Sequence, residues 1–178
     1  MRARLAILAS GLTVELREIV LREKAPEFLA SSPKGTVPVL VTPSVVIEES
    51  FDVMLWALEQ SDPEGWLAMP EVGYEWVARC DGPFKTALDH TKYAVRYPDL
   101  DPEQERRRAA EFLVDLNLQI ASSDWLFGAK CTLADIAIAP FVRQFTNSDR
   151  SWFDAQPWPN LLGRAQYCSP RVKPCLAL

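Results

Sequence analysis

Thr36-Val37-Pro38-Val39-Leu40-Val41 decides how the first part of this 178-residue chain is read. From Val37 onward the run is apolar throughout, which marks a buried strand, yet a proline stands at its head. Proline gives up one ladder donor and is normally penalised there. One solution is a cis Val37–Pro38 bond that turns the Val37 main chain outward, so that its N–H and C=O can pair with an extended peptide. The other is a trans proline at the first residue of an edge strand. These residues alone leave both open.

Working outward, Ser32-Pro33-Lys34-Gly35 reads as a turn before the strand. Thr42-Pro43-Ser44 turns the chain after it into Val45-Val46-Ile47, a hairpin partner. Ile47-Glu48-Glu49-Ser50 then ends a strand and begins an apolar helix running to Glu59. A helix start carries free backbone N–H groups and the positive end of the dipole. A serine hydroxyl beside such amides makes a carboxylate site, and Glu49 supplies an anionic partner for an ammonium group. Together, beside an exposed strand edge, they suit the γ-glutamyl end of glutathione. The plainer alternative is that Glu49 and Ser50 only cap the helix.

The rest of residues 1–61 changes rhythm about every ten residues. The opening Met1-Arg2-Ala3-Arg4, followed by five apolar residues, has the order of a leader peptide, but the apolar run is short for one. Leu5, Leu8 and Leu12, with the arginines opposite, fit an amphipathic helix better, and Gly11 is its natural stop. Residues 13–20 alternate apolar and polar, the pattern of a strand. Residues 24–30 suit a short helix with Pro26 in its first turn. The expected order is helix, strand, helix, strand, strand, helix.

From about Tyr74 onward no convincing strand appears and helical spacing takes over. Asp62-Pro63-Glu64-Gly65 opens a linker over 62–72, with Trp66, Leu67 and Met69 expected to pin it to a surface. Gly82-Pro83 should break or offset the first long helix. Asp101-Pro102-Glu103-Gln104 starts the next, with Asp101 as cap, and Ala109, Phe112, Leu113, Leu116 and Ile120 form its buried stripe. A third helix opens at Thr132, capped reciprocally with Asp135, and Pro140 should distort it. Trp152, Phe153 and Trp158 are expected to anchor the tail, and 158–178 should hold one short helix.

Ser32 to Leu40, with Glu49-Ser50 about ten residues on, resembles the glutathione-binding core of the cytosolic glutathione transferases, of a bacterial, cysteine type (omega- or beta-like). Cys131-Thr132-Leu133-Ala134-Asp135 resembles the start of that family's buried C-terminal helix. The resemblance implies an α/β thioredoxin-like N-terminal domain over 1–61 and an all-α domain over 73–178. It implies a cis Val37–Pro38 bond, with the Val37 main chain on the cysteinyl part of glutathione and Glu49 and Ser50 on the γ-glutamyl part. Lys24 lies near the place of a lysine that holds the glycine carboxylate. A homodimer is likewise implied. Family members begin with a strand and a catalytic loop, both of which are expected to be missing here, since residues 1–6 already look like the first helix. That strand would lie between residues 13–20 and 37–41, so both neighbours should keep unpaired edges. None of the cysteines stands where a catalytic one would, and the catalytic residue stays unknown. A second-substrate site is expected from Tyr93, Arg96, Tyr97 and Phe141, unless these only pack.

Composition narrows the partners. At 48% apolar and a net charge of −5, the chain is not built for nucleic acid, which needs clustered cations. The one basic run, Arg106-Arg107-Arg108, reads as a solvated helix face. No stretch is long enough to span a bilayer. Cys80, Cys131, Cys168 and Cys175 form no Cys-x-x-Cys pair and His90 is the lone histidine, so no metal is expected. Cys131 reads as core packing and His90 as a surface residue. Reduced thiols fit a cytoplasmic protein. The leading expectation is a glutathione-dependent enzyme that does thiol transfer, or conjugates glutathione to a small hydrophobic or disulfide cosubstrate. A non-catalytic binding or interaction protein of the same fold is the alternative, and a glutathione-dependent isomerase a third.

Overall fold

The computed structural model describes residues 1–163. Cys168, Cys175 and the end of the expected tail lie outside the described residues. The chain divides into two compact units, Met1–Leu67 and Ala68–Leu178.

In the first unit α1 (Arg2–Ala9) packs on α3 (Ser50–Gln60). Ala3, Leu5 and Ala6 are buried, as are Val53, Met54, Ala57 and Leu58. Small alanines on both helices allow the backbones to approach closely. The buried face therefore differs from the expected one: Leu8 is exposed, and Arg2 is buried in its place. Gly11, at φ 70°, adopts the left-handed stop that its lack of a Cβ allows. α2 (Pro26–Ser31) begins on its proline.

The sheet is a single hairpin of β1 (Leu40–Val41) and β2 (Val46–Ile47), in register Leu40↔Ile47 and Val41↔Val46. Thr42 closes the turn: its N–H donates to the Val45 carbonyl at 2.9 Å, and its Oγ1 accepts from the Val45 N–H at 2.9 Å. The expected strand over 13–20 is not formed. Those residues run as irregular chain, with Val14, Leu16 and Val20 exposed. Alternation makes a strand only where a neighbouring ladder satisfies its backbone groups, and among the described residues none lies alongside. The same reason shortens β1, expected from Val37, to two residues.

The described residues of the second unit are mainly helical. α4 (Val72–Arg79) runs into a π-turn (Cys80–Phe84) and out into α5 (Lys85–Lys92), so Gly82-Pro83 offsets the helix without ending it. A short 3₁₀ turn (Ala94–Arg96) leads to α6 (Pro102–Gln119), where Asp101 Oδ1 accepts from the Glu103 N–H at 3.0 Å. Ala109, Phe112, Leu113, Leu116 and Ile120 are all buried, as their spacing requires. Phe84 stacks on Phe112 with ring centres 4.7 Å apart.

α7 (Leu133–Ser148) keeps Pro140 inside an unbroken helix. Its start is held by Asp135, 0% exposed. Asp135 Oδ2 accepts from the Thr132 N–H at 2.9 Å and the Thr132 hydroxyl at 2.7 Å, and Oδ1 from the Leu126 N–H at 2.9 Å. α8 (Arg150–Asp154) buries Phe153, whose ring meets Trp158 at 5.1 Å. α9 (Pro159–Gly163) is docked by Asn117 of α6, whose Oδ1 accepts from the Asn160 N–H at 3.0 Å.

Candidate functional site

The turn at residues 32–35 organises the first unit's polar groups. Gly35, at φ 61°, bends the chain back so that its N–H donates to the Ser32 carbonyl at 2.9 Å. The fully buried Ser32 hydroxyl donates to Glu48 Oε1 at 2.7 Å, and Lys34 Nζ meets Glu49 Oε1 at 3.4 Å. Two side-chain links thus tie this turn to the residues entering α3. Lys24 leans over the turn, its Nζ 3.1 Å from the position a Cβ on Gly35 would take. Two residues beyond Gly35 comes Val37, joined to Pro38 by a cis peptide and 51% exposed. Among the described residues, neither the N–H nor the C=O of Val37 forms a hydrogen bond.

At the start of α3, Glu49 holds the N-cap position without a side-chain cap bond. Its carboxylate, 64% exposed, faces Lys34 instead. Ser50, the first helical residue, is half-buried and accepts from Arg2 Nε at 2.9 Å. Val37, Pro38, Glu49, Ser50 and Lys24 therefore all belong to the first unit, around or next to one turn.

Tyr93, Arg96, Tyr97 and Phe141 belong to the second. The Arg96 guanidinium lies over the Tyr93 ring at 4.7 Å, and Tyr97 lies 4.4 Å from His90 between ring centres. Phe141 is half-buried on α7. A cleft of about 300 Å³ in this unit is lined by Thr91, Lys92, Arg106, Phe145, Ser148 and Trp152 among others, and by none of those four. Cys80 is fully buried, and Cys131, beside the α7 cap, is half-buried; neither is joined in a disulfide. Among the described residues no group of three His, Cys, Asp or Glu side chains could hold a metal, and no helix is long and apolar enough to cross a membrane.

Four partnerships escape sequence reading. Arg2 with Ser50 and Ser32 with Glu48 join residues far apart in the chain, and no local spacing signals either. His90 is no simple surface residue: its Nδ1 lies 2.8 Å from Oε2 of the buried Glu105, whose Oε1 accepts from Arg108 at 2.6 Å. Arg106 departs from the solvated face expected of its run. Its side chain is 16% exposed, lies 4.8 Å over Trp152, and pairs with Glu103 and with Asp149. At helical spacing the three arginines of that run point in different directions, and only the first meets α8.

Comparison with known proteins agrees with this architecture. Residues 1–65 match the family described as Glutathione S-transferase, N-terminal domain, and residues 74–163 match Glutathione S-transferase, C-terminal domain. Among solved structures, a delta-class glutathione transferase of Nilaparvata lugens superposes with a TM-score of 0.77 at 20% identity, over 98% of this chain and 86% of its own. BphK, a bacterial glutathione transferase, gives 0.75 at 18% identity, over 98% and 92%. Among curated proteins, elongation factor 1-gamma 3 of Oryza sativa subsp. japonica is 28% identical over 168 residues, covering 85% of this chain. The chain spans only 40% of that relative's length. With an N-terminal thioredoxin-like domain and an all-α C-terminal domain each matched in its own right, the chain belongs to the glutathione S-transferase family.

Proposed function

We propose that this protein binds glutathione in its first unit and acts as a glutathione transferase-like enzyme, transferring thiols or conjugating glutathione to a small electrophile. The supporting observation is the linkage of an unpaired, exposed Val37 main chain to an uncapped helix start. The turn before Val37 is tied to Glu48 and Glu49, which lead directly into Ser50 and α3. An extended tripeptide can pair with the Val37 amide and carbonyl as a strand does. Its γ-glutamyl carboxylate then meets the Ser50 hydroxyl and the α3 amides. Its ammonium group competes with Lys34 for Glu49, an exposed pair worth little by itself. Lys24, over the turn, is placed for the far carboxylate.

Titration calorimetry with glutathione tests the site. Ser50→Ala and Glu49→Ala should each weaken binding by about 1–3 kcal/mol without unfolding the protein. Unchanged affinity in both removes these residues from the site. A thiol-transfer assay then tests the enzyme reading.

A second reading is non-catalytic: a glutathione transferase-like module that binds a ligand or a partner protein. It draws support from the likeness to elongation factor 1-gamma 3, and from the placing of Cys80 and Cys131 in the helical unit. Glutathione binding without turnover favours it. Isomerase chemistry on the same scaffold is a third possibility. Tyr93, Arg96, Tyr97 and Phe141 are proposed for the second substrate, a hydrophobic or disulfide compound, in a cytoplasmic homodimer with domains at 1–61 and 73–178.

A further inference from the structure

We propose that residues 13–20 are a docking strand for a second copy of this chain, the two copies pairing antiparallel with Leu16 opposite Leu16. The inference does not depend on glutathione binding. From Thr13 to Ile19, no backbone N–H or C=O forms a hydrogen bond among the described residues. Main-chain polar groups need partners, and here solvent is left to supply them, since Thr13 through Glu18 are all exposed. None of these residues takes a positive φ, so an extended form requires no left-handed residue to be undone. Glu15 and Arg17 already lie on one side of the chain: Arg17 Nε donates to Glu15 Oε1 at 2.8 Å, and Nη2 to Oε2 at 3.2 Å. Residues two apart share a face in a strand, as these do.

The occupant is a second copy because the segment is complementary to itself. In antiparallel pairing centred on Leu16, Glu15 of each copy faces Arg17 of the other, and symmetry makes that pair twice. On the opposite face Leu16 meets Leu16 and Leu12 meets Val20. Leu16 and Val20 are 55% and 66% exposed in the single chain, so pairing covers apolar surface that water now touches. Moving the centre one residue earlier sets Glu15 against Glu15, and one later sets Arg17 against Arg17. The charges therefore choose one register out of the three. Glu18 stays out of the contest, its carboxylate held by Arg4 of α1 at 2.6 Å. A two-fold pairing also closes on itself, so assembly stops at two copies. A ladder this short buries less than a standard interface, and the pair should form and part with concentration.

Sedimentation over a range of protein concentrations, with hydrogen exchange at residues 13–19, tests this. Wild-type protein should form more dimer as concentration rises, and those amides should exchange more slowly in step. Glu15→Arg and Arg17→Glu each set like charges together, and each should weaken self-association about tenfold at low salt. Mixing the two single variants restores both pairs, so they should join each other about as tightly as wild type joins itself. The Glu15→Arg/Arg17→Glu double variant should return to within about threefold of wild type. The Arg17 and Glu15 side chains are 76% and 74% exposed, so the variants should fold, and thermal unfolding checks each. A dimer indifferent to every one of these charges uses another surface and overturns the proposal. So does wild-type protein whose residues 13–19 exchange at a rate independent of concentration.

Discussion

Asp135 and Glu49 are both carboxylates at the beginning of a helix, and the protein uses them in opposite ways. Asp135 is fully buried and accepts from Thr132 twice and from Leu126, which knots the loop before α7 onto that helix. Glu49 is largely exposed, makes no cap and touches only the flexible end of Lys34. The contrast separates polar groups that hold the fold from polar groups left available. A buried carboxylate that already accepts three hydrogen bonds inside the protein has little left for a ligand. One facing a single surface lysine has almost all of it left.

Three substitutions can break that contrast. Asp135→Ala should have the largest effect, destabilising the protein by about 3 kcal/mol, because three donors lose their acceptor inside the core. Urea unfolding measures it, and a loss below about 1 kcal/mol would mean the knot is ornamental. Thr132→Ala removes the hydroxyl partner but leaves the backbone bond to Asp135, so about 1 kcal/mol is expected from the same measurement. Lys34→Ala should change stability by less than about 0.5 kcal/mol, since an exposed pair contributes little. Its glutathione affinity should hold or rise slightly, because Glu49 is released. A clear fall in stability would place Lys34 and Glu49 among the folding elements, and the distinction between the two helix starts would collapse.

The same distinction explains what could be read from the residues alone. The α7 knot was legible because Thr132 and Asp135 are three residues apart and both belong to one helix turn. The Gly11 stop, the Asp101-Pro102 start and the buried stripe of α6 are equally local. Val37-Pro38 and Glu49-Ser50 stood out for the same reason, each being a short motif beside a predicted boundary. Arg2 with Ser50 and His90 with Glu105 bring together separate helices, and no spacing rule connects them. Residues 13–20 failed differently. Their alternation is a statement about two faces, but a strand also needs a neighbour, and alternation carries no information about whether one is there.

The wide turn at Cys80–Phe84 has a consequence for how this chain tolerates change. A π-turn is one residue longer than the α-turn it replaces, so it acts as a spacer in a screw thread. Removing a single residue there, Pro83 for instance, would turn it into an ordinary α-turn and leave the register beyond it nearly unchanged, whereas removing Thr86 from α5 would rotate everything downstream by about 100°. In the second case Leu88 would swing off the core, and His90 would lose its alignment with Glu105. Along this helix, then, the interval between Cys80 and Phe84 is where the count of positions can be altered at least cost. Single deletions should be better tolerated there than in α4 or α5 on either side.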